Sequence, residues 1–222
     1  MISYRKLAMR VLGHSPVSAV KTARRSTGKR AAALALTAAL VVGMTLPAFA
    51  QDWFIENGDI KISAGTNGNN VTQGETTKEN DTDTVIKGNG SSTASSNSVT
   101  IEAGAGKTVN VTLDNVTINV DEGTKYAYDP NAYKTAVSVT GSGNTNIELN
   151  GDNKLTSGSG YAGLEHNKKT DSEGKETSGT LTITDDKGDA GKLTATGGNQ
   201  SAGIGGGSGN DGQAAITGGE II

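Results

Sequence analysis

Three consecutive segments of the chain align with one another. They are TVNVTLDNVTINV…TAVSVTGSG, NTNIELNGDNKLTSGSGYAGLEHN and GTLTITDDKGDAGKLTATGGNQSAGIGGGSG. Each opens on a strand of alternating apolar residues (Val111 and Leu113; Ile147 and Leu149; Leu181 and Ile183), turns a polar corner into a second strand, and reaches a third strand that begins Thr135-Ala136, Tyr161-Ala162 or Ser201-Ala202. The alignment sets Leu113 against Leu149 and Ile147 against Leu181, and carries the series on to Ile216. Self-similarity at such a period means stacked supersecondary units.

Three short strands and three corners per repeat are what one turn of a three-sided solenoid needs. Each strand pairs with its equivalent in the next turn about 4.8 Å away, and alternate side chains point into a narrow shared core. The expected fold is therefore all-β: a right-handed parallel β-helix of about three full turns plus an incomplete last one. Such a core needs one or two apolar side chains per strand, which fits a chain with 33% hydrophobic residues, 32 glycines and no cysteine. After residue 50, no window of eleven or more residues carries helical spacing of apolar residues, while short Thr-rich alternating runs recur from DIKIS to KLTAT. The polar stretches 64–82 and 88–96 are the ones whose composition also suits disorder.

The first fifty residues are of a different kind. Eight Lys and Arg and no acidic residue precede AAALALTAALVVGMTLPAFA, with Ala48 and Ala50 at the small-residue positions before Gln51. This is the pattern of a secretory signal peptide, residues 1–50, cleaved after Ala50. An apolar stretch of about 16 residues is shorter than the roughly 20 that a membrane span requires. Residues 51–96 then form an N-terminal cap or partly ordered β region, and 97–222 the repeats, which stop inside a turn and suggest a chain continuing beyond Ile222.

Removing the signal leaves 12 basic against 23 acidic side chains, a net charge of −11 on 172 residues. That surface repels nucleic acid and anionic lipid, so neither is an expected partner. Without cysteine an exported chain has no disulfides, and its stability comes from backbone hydrogen bonding, stacking or bound ions.

The order VTLDNVTI, KLTSG, YAGL, LTIT, GKLTATGG, SAGIGGGSG and ITGG resembles the repeats of bacterial cell-surface β-helix proteins of the carbohydrate-binding-domain-containing type, whose turns read ITISGGTVTATGG-x-AGIGGG. The resemblance covers residues 97–222 and is most specific at GKLTATGGNQSAGIGGGSG. It implies a parallel β-helix, exported and attached to the bacterial surface, with calcium and acidic polysaccharide binding described for some relatives.

Several motifs invite chemistry. EAGAGKT, residues 102–108, lacks the first glycine of a phosphate-binding loop, since Ile101 stands in its place, and it runs into a strand rather than a helix. Gly207, Gly209 and Gly212 match a dinucleotide fingerprint without its βαβ setting. GGSGND, residues 206–211, matches most of a calcium-binding β-roll nonapeptide and ends on Asp211, but occurs once where stacked copies are needed; the alternative is a tight corner in which glycine supplies positive φ. Asp114, Asp152, and Asp185 or Asp186 follow the first strand of successive repeats, so calcium between stacked carboxylates competes with ordinary solvated turns.

The aromatic residues suggest a ligand more directly. KYAYDPNAY interrupts the first repeat with Tyr126, Tyr128 and Tyr133, and Tyr161 opens the corresponding strand of the next. Flat aromatic faces beside amide and carboxylate groups suit sugar rings; equally, the loop folds its tyrosines down to seal the solenoid. Catalysis has less support. The exported part has one histidine, His166, and no arginine to neutralise a uronate. The expectation is a non-catalytic glycan-binding or adhesion module, with calcium as candidate cofactor and polysaccharide as partner; the alternatives are a structural stalk or a polysaccharide lyase.

Overall fold

The computed structural model describes residues 51–120, 134–187 and 190–222. The signal segment and Tyr126, Tyr128 and Tyr133 lie outside them. The described chain is an all-β parallel solenoid of about four turns, walled by three sheets, and no α-helix occurs among its described residues.

Sheet I stacks β1 (Asp52–Phe54), β5 (Val85–Lys87), β7 (Thr108–Asp114), β10 (Asn144–Asn150), β13 (Leu181–Thr184) and β16 (Ala215–Ile216), all parallel. Sheet II stacks β8 (Thr117–Asn119), β11 (Asp152–Thr156), β14 (Lys192–Thr196) and β17 (Glu220–Ile221). Sheet III runs through β2 (Ile60–Ala64), β6 (Val99–Ala103), β9 (Val137–Gly141), β12 (Leu164–Glu165) and β15 (Ile204–Gly205). From β7 onward the chain visits the sheets in the order I, II, III. The three strands of each repeat fall one to each wall.

Alternation explains the core. In β7 the burial pattern strictly alternates, with Val109, Val111 and Leu113 inside and Thr108, Asn110 and Thr112 outside. Stacking then turns every inward position into a column that runs from turn to turn. Trp53, Ile86, Leu113 and Leu149 form one such column, and Ile62, Ile101 and Val139 another; all seven are at most 3% exposed.

The register corrects the sequence alignment at one place. Ile147 pairs with Ile183, not with Leu181, which lies over Thr145, and Ile216 follows Ile183 in the series. A slip of two residues keeps every side chain on its own face, so alternation alone could not detect it. The rung-to-rung step is 36 residues in two successive places, Asn110 to Asn146 and Glu148 to Thr184.

Thr145 is the flaw in this core. It is fully buried between Val109 and Leu181, and its hydroxyl has no hydrogen-bond partner. An unsatisfied buried hydroxyl costs about 1 kcal/mol or more. Thr145→Val should raise the melting temperature by about 2–4 °C, as read by calorimetry.

Residues 51–96 are built as the lower end of the solenoid. Between β2 and β5, strands β3 (Asn69–Gln73) and β4 (Thr76–Asp81) extend sheet III as an antiparallel hairpin. Asn69 fastens this hairpin by donating to the Asn110 carbonyl at 2.7 Å and to Thr84 Oγ1 at 2.9 Å. Asp81, 2% exposed, accepts from Trp53 Nε1 at 3.1 Å and from Thr84, and pairs with Lys78 at 2.9 Å.

Burial alone would push the Asp81 carboxyl up, but Lys78, Trp53 and Thr84 together hold it below the usual aspartate range. A carboxyl depressed in the folded state stabilises the fold above the unfolded value of about 3.9, and that contribution is lost as pH falls through the folded value. Thermal melts from neutral pH downward should therefore show a loss of stability below about pH 4 that is shallower in Asp81→Asn, which starts from a lower melting point.

Candidate functional site

The outer face of sheet I carries a polar trough. Its floor is made of the outward side chains of β7, β10 and β13: Asn110, Thr112, Asn146, Glu148 and Thr184. One wall is the approach to β5, residues 82–84, and the other is Asp186 and Lys187 beyond β13. The trough encloses about 290 Å3 and continues at Thr82 and Asn110 into a second depression of about 340 Å3, bounded by residues 65–69 and 106–108.

Two features organise the floor. Asn146 Nδ2 donates to Asn110 Oδ1 at 2.9 Å, an amide ladder across one turn of the solenoid. Glu148 is only 7% exposed although it points outward. Its Oε1 accepts the backbone N–H groups of Asp186 at 2.8 Å and Lys187 at 2.6 Å, and its Oε2 accepts the Thr184 hydroxyl. Glu148 thus clamps the loop that forms the wall. With both oxygens engaged, it holds shape rather than standing free as a base.

The acidic corner residues are distributed differently from the expected stack. Asp114, at the end of β7, pairs with Lys87 on one side and Asn150 on the other. Its carboxylate accepts from Asn115 Nδ2 at 2.8 Å. Asp152 begins β11 in sheet II, has Lys192 as its register partner, and pairs with Lys154 at 3.0 Å. Sharing a corner in sequence puts these two carboxylates on different walls. Lys87 lies between Asp52, at 3.0 Å, and Asp114; its hydrogen bond to Asp52 comes first among the causes that push its ammonium up.

Asp185 and Asp186 follow β13, with Asp186 at the rim of the trough. Asp211 is exposed in the glycine corner between β15 and β16, where its carbonyl accepts from the Lys168 N–H at 2.7 Å. Among the described residues no three carboxylate or imidazole groups converge as a metal site would require. Tyr161 lies at the corner between sheets II and III, its carbonyl accepting from the Gly198 N–H at 3.0 Å. Nearby, Lys134, the first described residue after the tyrosine segment, accepts from the Gly158 N–H.

The glycine motifs are corners. In the phosphate-loop look-alike, Lys107 N–H bonds back to the Gly104 carbonyl at 3.0 Å across Gly106, whose φ of +68° favours glycine. In the tail, a side chain on Gly212 would lie 2.0 Å from the Gly206 nitrogen, and one on Gly206 would lie 2.1 Å from the Asn210 carbonyl. Close backbone approach is reason enough for glycine there. His166, 1% exposed, is bound by two carbonyls, Val139 through Nδ1 at 3.1 Å and Gly179 through Nε2 at 2.8 Å. It anchors the base of the charged hairpin that follows it.

No family model, curated protein or solved structure matches this chain.

Proposed function

We propose that the chain is an exported, bacterial cell-surface module that binds carbohydrate without catalysis, of the kind its repeats resemble. The observation that carries the reading is the trough on sheet I, a concave strip of amide and hydroxyl groups held on a rigid wall between two loops. Asparagine amides and threonine hydroxyls offer both donors and acceptors, as sugar hydroxyls do. The volume is at the lower end of the range for small-ligand sites, which suits a few sugar units lying in an open groove.

The non-catalytic part of the reading is supported by Glu148. It is the most buried carboxylate in the trough, and its two oxygens are taken by Thr184, Asp186 and Lys187. A general base has to be free to accept a proton from substrate or water. An acidic glycan would need calcium as a bridge, because a net charge of −11 on the exported part otherwise repels it.

A glycan array probed with the exported chain, with calcium and again with a chelator, tests the proposal. Retention of a discrete set of glycans is the expected result. No retention in either condition would overturn it and leave the solenoid a stalk, and release of unsaturated uronate products would replace it with a lyase. The corner carrying Tyr161 is the competing location on the same molecule. Tyr161→Ala should leave binding within about twofold if the trough is the site.

A further inference from the structure

We infer that the trough takes a neutral, extended polyhydroxylated chain running along the solenoid axis, and takes it without calcium. The inference rests on the carbohydrate-binding reading above and narrows it to a ligand class.

The hydrogen-bonding groups left over by the protein point that way. The Asn146-to-Asn110 bond uses one amide hydrogen-bonding group of each residue, leaving Asn110 Nδ2 as a donor and Asn146 Oδ1 as an acceptor, on strands one turn apart. The Thr112 hydroxyl lines the trough beside them. A hydroxyl can donate and accept, so consecutive sugar hydroxyls can satisfy all three. A carboxylate accepts only, and would set its charge against the Asn146 carbonyl oxygen.

Charge leads to the same class. The lining holds three carboxylates, Asp83, Glu148 and Asp186, and a single ammonium, Lys187. No arginine occurs anywhere in residues 51–222 to form a bidentate pair with a uronate. An anionic chain would therefore meet a negative field in a groove whose walls concentrate it. Calcium would have to reverse that field, yet Glu148 already accepts three protein hydrogen bonds, and among the described residues no three acidic or imidazole groups come together.

Length follows from the architecture. From β5 through β7 and β10 to β13 is three strand spacings, roughly 14 Å at about 4.8 Å each. The repeat of an extended pyranose chain is close to one such spacing, so successive units meet successive strands. Affinity should rise with oligosaccharide length until the distance between the walls is filled, then level off.

The test is calorimetric titration with neutral oligosaccharides of increasing length and with oligogalacturonates, each in calcium and in EDTA. Neutral chains should bind equally in both buffers with the length plateau described. Asn110→Ala and Asn146→Ala should each weaken that binding about fivefold to tenfold, the loss of one hydrogen bond, while their melting temperatures fall by no more than about 4 °C, the loss of the bond between the two amides, as the control for folding. Binding of oligogalacturonate in calcium alone would overturn this inference while leaving carbohydrate binding standing. Failure of every sugar would overturn the proposed function itself. Unchanged affinity in both asparagine variants would remove the trough as the site.

Discussion

Gly179→Ala is expected to destabilise the solenoid by on the order of 3–5 kcal/mol, a large fraction of the roughly 5–15 kcal/mol by which an ordinary domain is stable. Gly179 lies at the corner between sheets III and I, directly above Gly143, which in turn lies above Gly104. A methyl group on Gly179 would sit 1.6 Å from the Gly143 carbonyl oxygen, and one on Gly143 would sit 2.1 Å from the Gly104 carbonyl oxygen. Neither obstacle is a flexible side chain. Both are backbone atoms fixed by the spacing between turns, and Gly179 N–H is itself bonded to the Gly141 carbonyl at 3.1 Å.

The same corner supplies its own control. A methyl group on Gly104, the lowest of the column, would meet nothing within 4 Å. Gly104→Ala should therefore change stability by less than about 1 kcal/mol, since a surface substitution away from special features usually does little. Chemical denaturation of the two variants side by side separates the effect of turn stacking from any general intolerance of alanine at glycine.

Leu149→Ala is the second large effect, with an expected loss of about 2–5 kcal/mol. Leu149 is fully buried over Leu113, and its side chain packs under the next turn, near Gly191 and Gly219. Removing it opens a cavity whose walls are columns tied on both sides by sheet hydrogen bonds, so little collapse is available to offset the loss. Ile216, 49% exposed in the last strand of the same sheet, should cost under about 1 kcal/mol when changed to alanine. Equal losses at the two positions, measured as midpoints of denaturation, would mean that stability does not follow the stacking described.

These contrasts also show where the sequence was legible. The inward columns could be read because Val111, Leu113, Ile147 and Leu149 alternate with polar residues and recur at a fixed step. The assignment of each repeat's strands to three walls followed from the corners between them. What alternation could not fix was the register of Leu181, since a slip of two keeps the inward face inward. The hairpin of β3 and β4 escaped notice because Asn, Thr and Gln dominate it, and its order comes from long-range partners such as Trp53 to Asp81 and Asn69 to Asn110.

The trough was invisible for a related reason. Asn110, Thr112, Asn146 and Glu148 are outward residues of strands, and nothing local separates them from solvent-facing positions elsewhere. Glu148 becomes special only through Thr184, Asp186 and Lys187, which follow it by 36 to 39 residues and arrive one turn later. The acidic corners misled in the opposite direction. Asp114 and Asp152 occupy similar places in the repeat, yet one belongs to sheet I beside Lys87 and the other to sheet II beside Lys192. The glycines of the tail, which resemble a ligand loop, are where neighbouring backbone leaves no room for a side chain.

The most direct test of the account is a titration of the isotope-labelled chain with a neutral oligosaccharide long enough to span the trough, followed by the side-chain amide resonances of its asparagines. The Asn110 and Asn146 side-chain signals should shift together and saturably, in EDTA as in calcium. Movement confined to Tyr161 and Ala162, with both asparagine signals unmoved at saturation, would contradict it.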